Sequence, residues 1–487
     1  MTALASCSRS SGDGEITTTF APNTTPQANV NLITPSPLHP FAPSSALAAN
    51  RLTFGPRQGD VTRIDQMGVD AFIEEQLAYD QLDDSTLQQR LSQQDNLQDT
   101  LTQTPSQLLD GKRGEILLDL QQATLLCAVY SSRQLYELMV DFWTNHLNIY
   151  FNKNADAYLK PTDDREVIRP HALGKFRDLL GASAHSPAMM MYLDNKDNVK
   201  GKPNENYARE LMELHTIGVE GGYTQQDVQE VARAFTGWGL VPGNTKKSAA
   251  EQPEGAGTFR YAAKRHDSDA KTILGASFPA GGGAKDGERV LDILATHPSA
   301  AMFISLKLAR RFVSDTPPDS VVAKGAAAFK KSDGDIKATL GAILHSDEFK
   351  QSFGQKIKRP FEFVASTLRA TNAESDCGKP VLQFMRQMGQ PLFLWAAPNG
   401  YPDVQGAWLG ASTLLARWNF GAALASNALK GTHAHLPSEE GSLDALSTRF
   451  FGSALPAPVR EALQPFANNP ATLGALMVSS PLFQVRG

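Results

Sequence analysis

Three cysteines in 487 residues, Cys7, Cys127 and Cys377, are too few and too far apart for a CxxC metal or redox site. Positive charge is not in excess either: 46 Lys and Arg stand against 51 Asp and Glu, for a formal net charge of −5. Without a global positive field nothing holds a phosphate backbone, so no nucleic acid partner is expected. No stretch approaches the roughly 18 consecutive apolar residues of a membrane-spanning helix, so any membrane link must be peripheral. The chain also lacks a P-loop, a GxSxG elbow, an HExxH pair and a dinucleotide fingerprint, which removes the commonest ATPase, serine-hydrolase, zincin and NAD readings. No repeat recurs at a period of about 20–50 residues, which speaks against a solenoid.

Hydrophobic residues at 41% and charged residues at 20% are enough to bury a core that offsets the ordering entropy. Cys127 lies in the run Ala123-Thr124-Leu125-Leu126-Cys127-Ala128-Val129 and reads as a small buried thiol. Cys7 closes Leu4-Ala5-Ser6-Cys7 before a Ser/Gly/Asp stretch, a pattern like the lipobox at which bacterial lipoproteins are cleaved and lipidated. A complete signal would place a basic segment and about 7–15 apolar residues ahead of the cleavage site, so residues 1–7 read as the remnant of one. Residues 8–46 are rich in Ser, Thr, Pro, Asn and Gly and are expected to form a disordered tether. Together these features predict an exported, periplasmic or cell-surface lipoprotein anchored through Cys7.

From about Ser45 onward, apolar residues recur at three- and four-residue intervals in Val61–Tyr79, Ser85–Gln94, Gly114–Tyr150, Ala172–Ala182, Ala301–Val313, Pro360–Ala370 and Ala411–Leu424. This spacing predicts an all-α body, one domain over residues 47–487. One stretch interrupts it. Val241–Ala284 is loaded with Gly, Ser, Lys and Pro around two extended-looking pieces, Thr258–Tyr261 and Thr272–Leu274, and predicts a long irregular excursion with a small hairpin, a reasonable place for a site lid.

The densest polar patterning is Asn204-Glu205-Asn206-Tyr207-Ala208-Arg209-Glu210-Leu211-Met212-Glu213-Leu214-His215. Asn204 is positioned to cap a helix. At about 100° per residue, Asn206, Arg209, Glu210 and Glu213 share one face. Such a face can hold a cation, position a water or act as acid and base; it can equally be a solvated surface with an Arg209–Glu213 pair. Thr224-Gln225-Gln226-Asp227 has the form of a capping box opening a second helix that carries Val228, Val231, Phe235 and Trp238 on one side, so the two helices form a hairpin. Upstream, Asp141-Phe142-Trp143-Thr144-Asn145-His146 ends an apolar helix in a crowd of polar side chains. In the excursion, Asp267 adjoins His266, and an Asp can orient a His ring. Lys307, Arg310 and Arg311 form a basic stripe, and Lys356, Lys358 and Arg359 precede Pro360; either group can hold an anion or remain a solvated stripe.

Asp141–His146, Tyr192-Leu193-Asp194-Asn195, Asn204–Val219, Tyr223–Val228, Ala232–Trp238, His266-Asp267 with Lys271 and Gly275, Pro398-Asn399-Gly400-Tyr401 and Leu415–Asn419 resemble blocks of the bacterial domain-of-unknown-function 1800 family (DUF 1800), over roughly residues 46–485. The resemblance implies one largely helical domain, often exported and often encoded beside a second family resembling the alkaline phosphatase and sulfatase group. It assigns no reaction. It does fall on the blocks that polar patterning singles out, which favours a shared pocket.

Three functions follow as expectations. The first is a hydrolase or lyase acting on an envelope or extracellular substrate, with His146, Glu210, Glu213, His266 and Asp267 as catalytic groups and Asn145, Asn206, Arg209, Lys307, Arg310 and Arg311 binding substrate, with or without a divalent metal. The second is a non-catalytic assembly or chaperoning partner of a co-exported phosphatase- or sulfatase-like protein. The third is a binding lipoprotein for an anionic polymer. Whether His146, Glu210, Glu213 and His266 converge is the geometric question that separates them.

Overall fold

The computed structural model describes residues 44–487 apart from 245 and 438–441; Cys7 and nearly all of the expected tether lie outside the described residues. From Ser44 the chain is predominantly helical, and the sheets among the described residues are three two-stranded antiparallel pairs. The longest helices, Arg113–Tyr130, Pro298–Phe312 and Ala411–Ala425, fall on stretches where apolar residues recur at three- and four-residue intervals. Pro298 occupies the first turn of its helix, where a missing N–H costs nothing, and the His297 imidazole caps Ser299 N at 3.2 Å. Buried apolar side chains from Leu47 to Phe483 form one cluster, Cys127 among them.

The helical hairpin forms as the residues predict. Asn204 Oδ1 accepts from Asn206 N at 3.0 Å, and in the capping box Thr224 Oγ1 accepts from Asp227 N at 3.2 Å while Asp227 Oδ2 accepts from Thr224 N at 2.8 Å. Two details differ from the periodicity. The first helix is α only over Glu205–Glu210 and widens to a π-helix over Leu211–Thr216, with Thr216 Oγ1 and Ile217 N bonding five residues back to Leu211 O and Met212 O at 2.6 and 3.0 Å. An angular placement at 100° per residue therefore holds for Asn206, Arg209 and Glu210 and slips at Glu213.

The second helix stops at Ala234, so Trp238 is not on it; Trp238–Leu240 is a strand paired with Phe259–Tyr261. Gly237 causes this. Its φ of 82° is left-handed, and a Cβ there would stand 2.7 Å from Ala262 O, so the chain leaves the helix through a turn open only to glycine. The excursion accordingly holds two pairings rather than one hairpin: Phe259–Tyr261 returns to Trp238–Leu240, and Lys271–Ile273 pairs with Ala276–Phe278.

The two ends of the described chain meet. Arg51 Nε donates to Arg486 O at 2.7 Å and Arg486 Nη2 donates to Arg51 O at 2.8 Å, both buried. Arg51 Nη1 also caps the end of Pro298–Phe312 through Phe312 O and Val313 O at 2.6 and 2.7 Å.

Candidate functional site

The Gln134–His146 helix ends against the Pro298–Phe312 helix and the loop at 391–404. Asn145 brackets that loop: its Oδ1 accepts from Tyr401 N at 2.7 Å and its Nδ2 donates to Tyr401 O at 2.9 Å. Asn148 Nδ2 adds bonds to Trp395 O and Ala397 O at 3.0 and 2.8 Å. Gly400, at φ 70°, lies so close that a Cβ would come within 2.2 Å of Asn145 O. The turn residues Pro398-Asn399-Gly400 thus lay the loop flat on the helix end, and Asn145 is spent on positioning it.

Between these elements lies a cavity of about 280 Å³ lined by His146, Lys307, Arg310, Arg311, Trp395 and Asp403, with Asn145 and Arg359 also in its wall. Its floor is a buried charge network. Glu362 Oε1 meets Arg311 at 2.6 Å, Arg486 at 3.2 Å and Arg359 at 3.6 Å. Asp141 Oδ2 takes Arg311 at 2.8 Å and a short contact from Arg359. Lys356 pairs with Asp315 at 2.6 Å and Asp403 at 3.4 Å. Burial pushes the Asp403 carboxyl up, but Lys356, Arg311 and Arg359 outweigh it and hold it at about 2; Glu362 is likewise held well below the carboxylate range against its burial by Arg311, Arg486 and Arg359.

Above this matched floor two cations are in no ion pair among the described residues. Arg310 donates through Nε to Asp315 O at 3.2 Å, and its terminal nitrogens make no ion pair. The Lys307 ammonium sits 5.4 Å over the Phe303 ring and makes no hydrogen bond or ion pair among the described residues. Burial first, then the neighbouring Arg310, brings the Lys307 amine down to about 8. His146 Nε2 lies 2.9 Å from His215 O, which makes Nε2 the protonated nitrogen and leaves the lone pair on Nδ1, buried and without a partner. Burial, then the charges of Lys307 and His215, keeps this imidazole well below its ordinary value; the buried His215 is lowered to about 3 by burial and Lys307.

Of the residues the sequence singles out, the cavity gathers Asn145, His146, Lys307, Arg310, Arg311 and Arg359. Glu210, Glu213, His266 and Asp267 do not line it. The acidic face is half-buried: Arg209 reaches Glu205 at 2.9 Å, Gln225 at 2.9 Å and Glu213 at 3.5 Å, and Asn206 Nδ2 donates to Leu193 O at 3.2 Å. Burial, then Glu213, raises the Glu210 carboxyl. The Glu210 charge acts on the Tyr192 hydroxyl, which donates to Ala396 O at 2.8 Å, so this face adjoins the same loop.

His266 is a buried strut: Nδ1 lies 2.8 Å from Thr236 O, and Nε2 is 3.4 Å from Asp286, which holds Lys271 at 2.7 Å. Asp267 does not orient that ring; it grips Arg233 at 2.8 and 3.1 Å. Among the described residues no group of three or more His, Cys, Asp and Glu is arranged to hold a metal ion, and no helix is long and apolar enough to cross a membrane. Trp395 and Asp403 were not singled out by sequence, because an irregular loop carries no periodicity; the Pro/Asn/Gly turn signal at 398–400 was the one clue.

A family model described as "Protein of unknown function (DUF1800)" matches residues 47–485, and the chain belongs to that family. No curated protein and no solved structure matches it.

Proposed function

We propose that the protein receives an anionic group in the cavity between the Pro298–Phe312 helix and the 391–404 loop, as a binding or substrate-processing protein of the cell envelope or exterior. The observation that carries this reading is the imbalance of the wall: Arg311, Arg359 and Lys356 are matched to carboxylates, while Lys307 and the end of the Arg310 side chain are not. An unmatched cation pair whose Lys307 member is desolvated costs free energy that a carboxylate, phosphate or sulfate recovers on binding. Melting temperature is therefore expected to rise with sulfate or citrate in wild type and not in a Lys307→Met/Arg310→Met double variant, since a ligand at a hundred times its Kd adds about 2.7 kcal/mol to stability. Equal rises in both proteins would refute the site.

His146 favours a catalytic form of the same reading. His146 lines the cavity, and its buried Nδ1 carries a lone pair with no hydrogen-bond partner among the described residues, a neutral imidazole beside the anion site that suits a hydrolase or lyase. Envelope placement rests on the Cys7 pattern.

A further inference from the structure

Most lysines buried or half-buried elsewhere in the chain are bound, among them Lys153 to Asp194 at 2.8 Å, Lys160 to Asp163 at 2.5 Å, Lys271 to Asp286 at 2.7 Å and Lys356 to Asp315 at 2.6 Å. Among the described residues Lys307, Lys337 and Lys358 have no such partner, and Lys337 lies 5.8 Å over the Tyr79 ring, away from the cavity. Lys358 is sealed in the core 3.7 Å over the Phe483 ring, whereas Lys307 opens on the cavity with Arg310 one turn further along the same helix. Facing Lys307 are Phe303 and Arg310 from its own helix, His146 from the Gln134–His146 helix and Asp403 from the loop.

Resting on the anion-site reading above, we propose that Lys307 is a nucleophile that forms an imine with the carbonyl carbon of a short oxo-acid whose carboxylate is held by Arg310. A lysine desolvated beside a second cation is the arrangement that makes a neutral, nucleophilic amine near neutral pH, and the lowering of Lys307 to about 8 by burial and Arg310 agrees with it. Residues three apart on a helix have Cβ atoms about 5–6 Å from each other, so carbonyl and carboxylate are separated by few bonds, as in a 2-oxo or 3-oxo acid. The amine nitrogen attacks the carbonyl carbon, and one nitrogen proton moves to the oxygen to give the carbinolamine. The C–O bond then breaks, the oxygen leaves with the second nitrogen proton as water, and the C=N bond forms. No oxidant or reductant is consumed.

Glyoxylate with cyanoborohydride, which reduces any imine to a stable secondary amine, tests this on the full chain by peptide mass spectrometry. Lys307 should be labelled at least about tenfold faster than the exposed Lys112, because its neutral fraction is larger, and Lys358 should stay unlabelled. Arg310→Met should slow labelling by glyoxylate several-fold more than labelling by formaldehyde, which has no carboxylate and loses only the effect of Arg310 on the Lys307 amine. Labelling of Lys307 no faster than that of Lys112, or an Arg310→Met effect equal for both aldehydes, overturns the proposal. Stabilisation by sulfate that depends on Lys307 and Arg310, with no Lys307 adduct, overturns the imine alone; absence of both overturns the anion site as well.

Discussion

Asp156 offers a sharp test of the electrostatics of this fold. It is fully buried, and neither carboxyl oxygen has a hydrogen-bond partner among the described residues. Burial first, then the charge of Asp163, pushes its carboxyl up to about 9, so at neutral pH it is a neutral acid inside the protein. The folded-state value lies above the unfolded one, and the folded protein therefore keeps a proton that the unfolded chain has already released. Stability from this group is present below the unfolded carboxylate value and is lost as pH rises toward the folded value. The slope is about 1.4 kcal/mol per pH unit for one proton. Asp156→Asn keeps the shape and removes the titration, so between about pH 6 and pH 8 wild type should lose roughly 3 kcal/mol relative to the variant. Denaturant unfolding of both proteins across that range measures the difference. Parallel stability profiles would mean that Asp156 ionises in the folded state as it does in the unfolded one, and the account of this buried cluster would fall.

Asn145→Ala should free the 395–404 loop: with two bonds to Tyr401 gone, at about 1–3 kcal/mol for each buried group left unpaired, hydrogen exchange at Tyr401 N should quicken at least about tenfold, and unchanged exchange would remove Asn145 from that role. Glu362→Gln leaves Arg311, Arg359 and Arg486 without their shared carboxylate and should cost about 3–5 kcal/mol in denaturant unfolding; a loss under about 0.5 kcal/mol would refute the network. Radioactive palmitate should label the full-length gene product and not Cys7→Ser, equal labelling of both being the contrary result.

Helices were legible because burial of one face imposes a 3.6-residue period on composition. The same reasoning misplaced Trp238, whose apolar spacing continues the helix although Gly237 has already turned the chain, and it drew Glu213 onto an α wheel where the backbone is π. Half of the candidate site was legible for a local reason: Asn145 and His146 crowd one helix end, and Lys307 and Arg310 share one stripe. Which cations stay unmatched depends on partners distant in sequence, such as Asp141 for Arg311, 170 positions away, and no local pattern carries that. His266 and Asp267 are adjacent in sequence yet serve different partners, Asp286 and Arg233, because neighbours in an irregular segment need not share a direction.

The reciprocal grip of Arg51 and Arg486 spans 435 positions, and it has a meaning in time. A chain made from its N-terminus presents Arg51, Asp141, Arg311 and Glu362 well before Arg486 is made. Until that segment docks, Glu362 lacks one of its three arginines and Arg51 has no carbonyl at 486 to hold, so the floor of the cavity is electrically incomplete. Closing the longest loop in the molecule is entropically the slowest kind of contact to make. The cavity thus belongs to a late stage of folding, and a ligand that fits it reports on chains in which the Arg486 segment has docked.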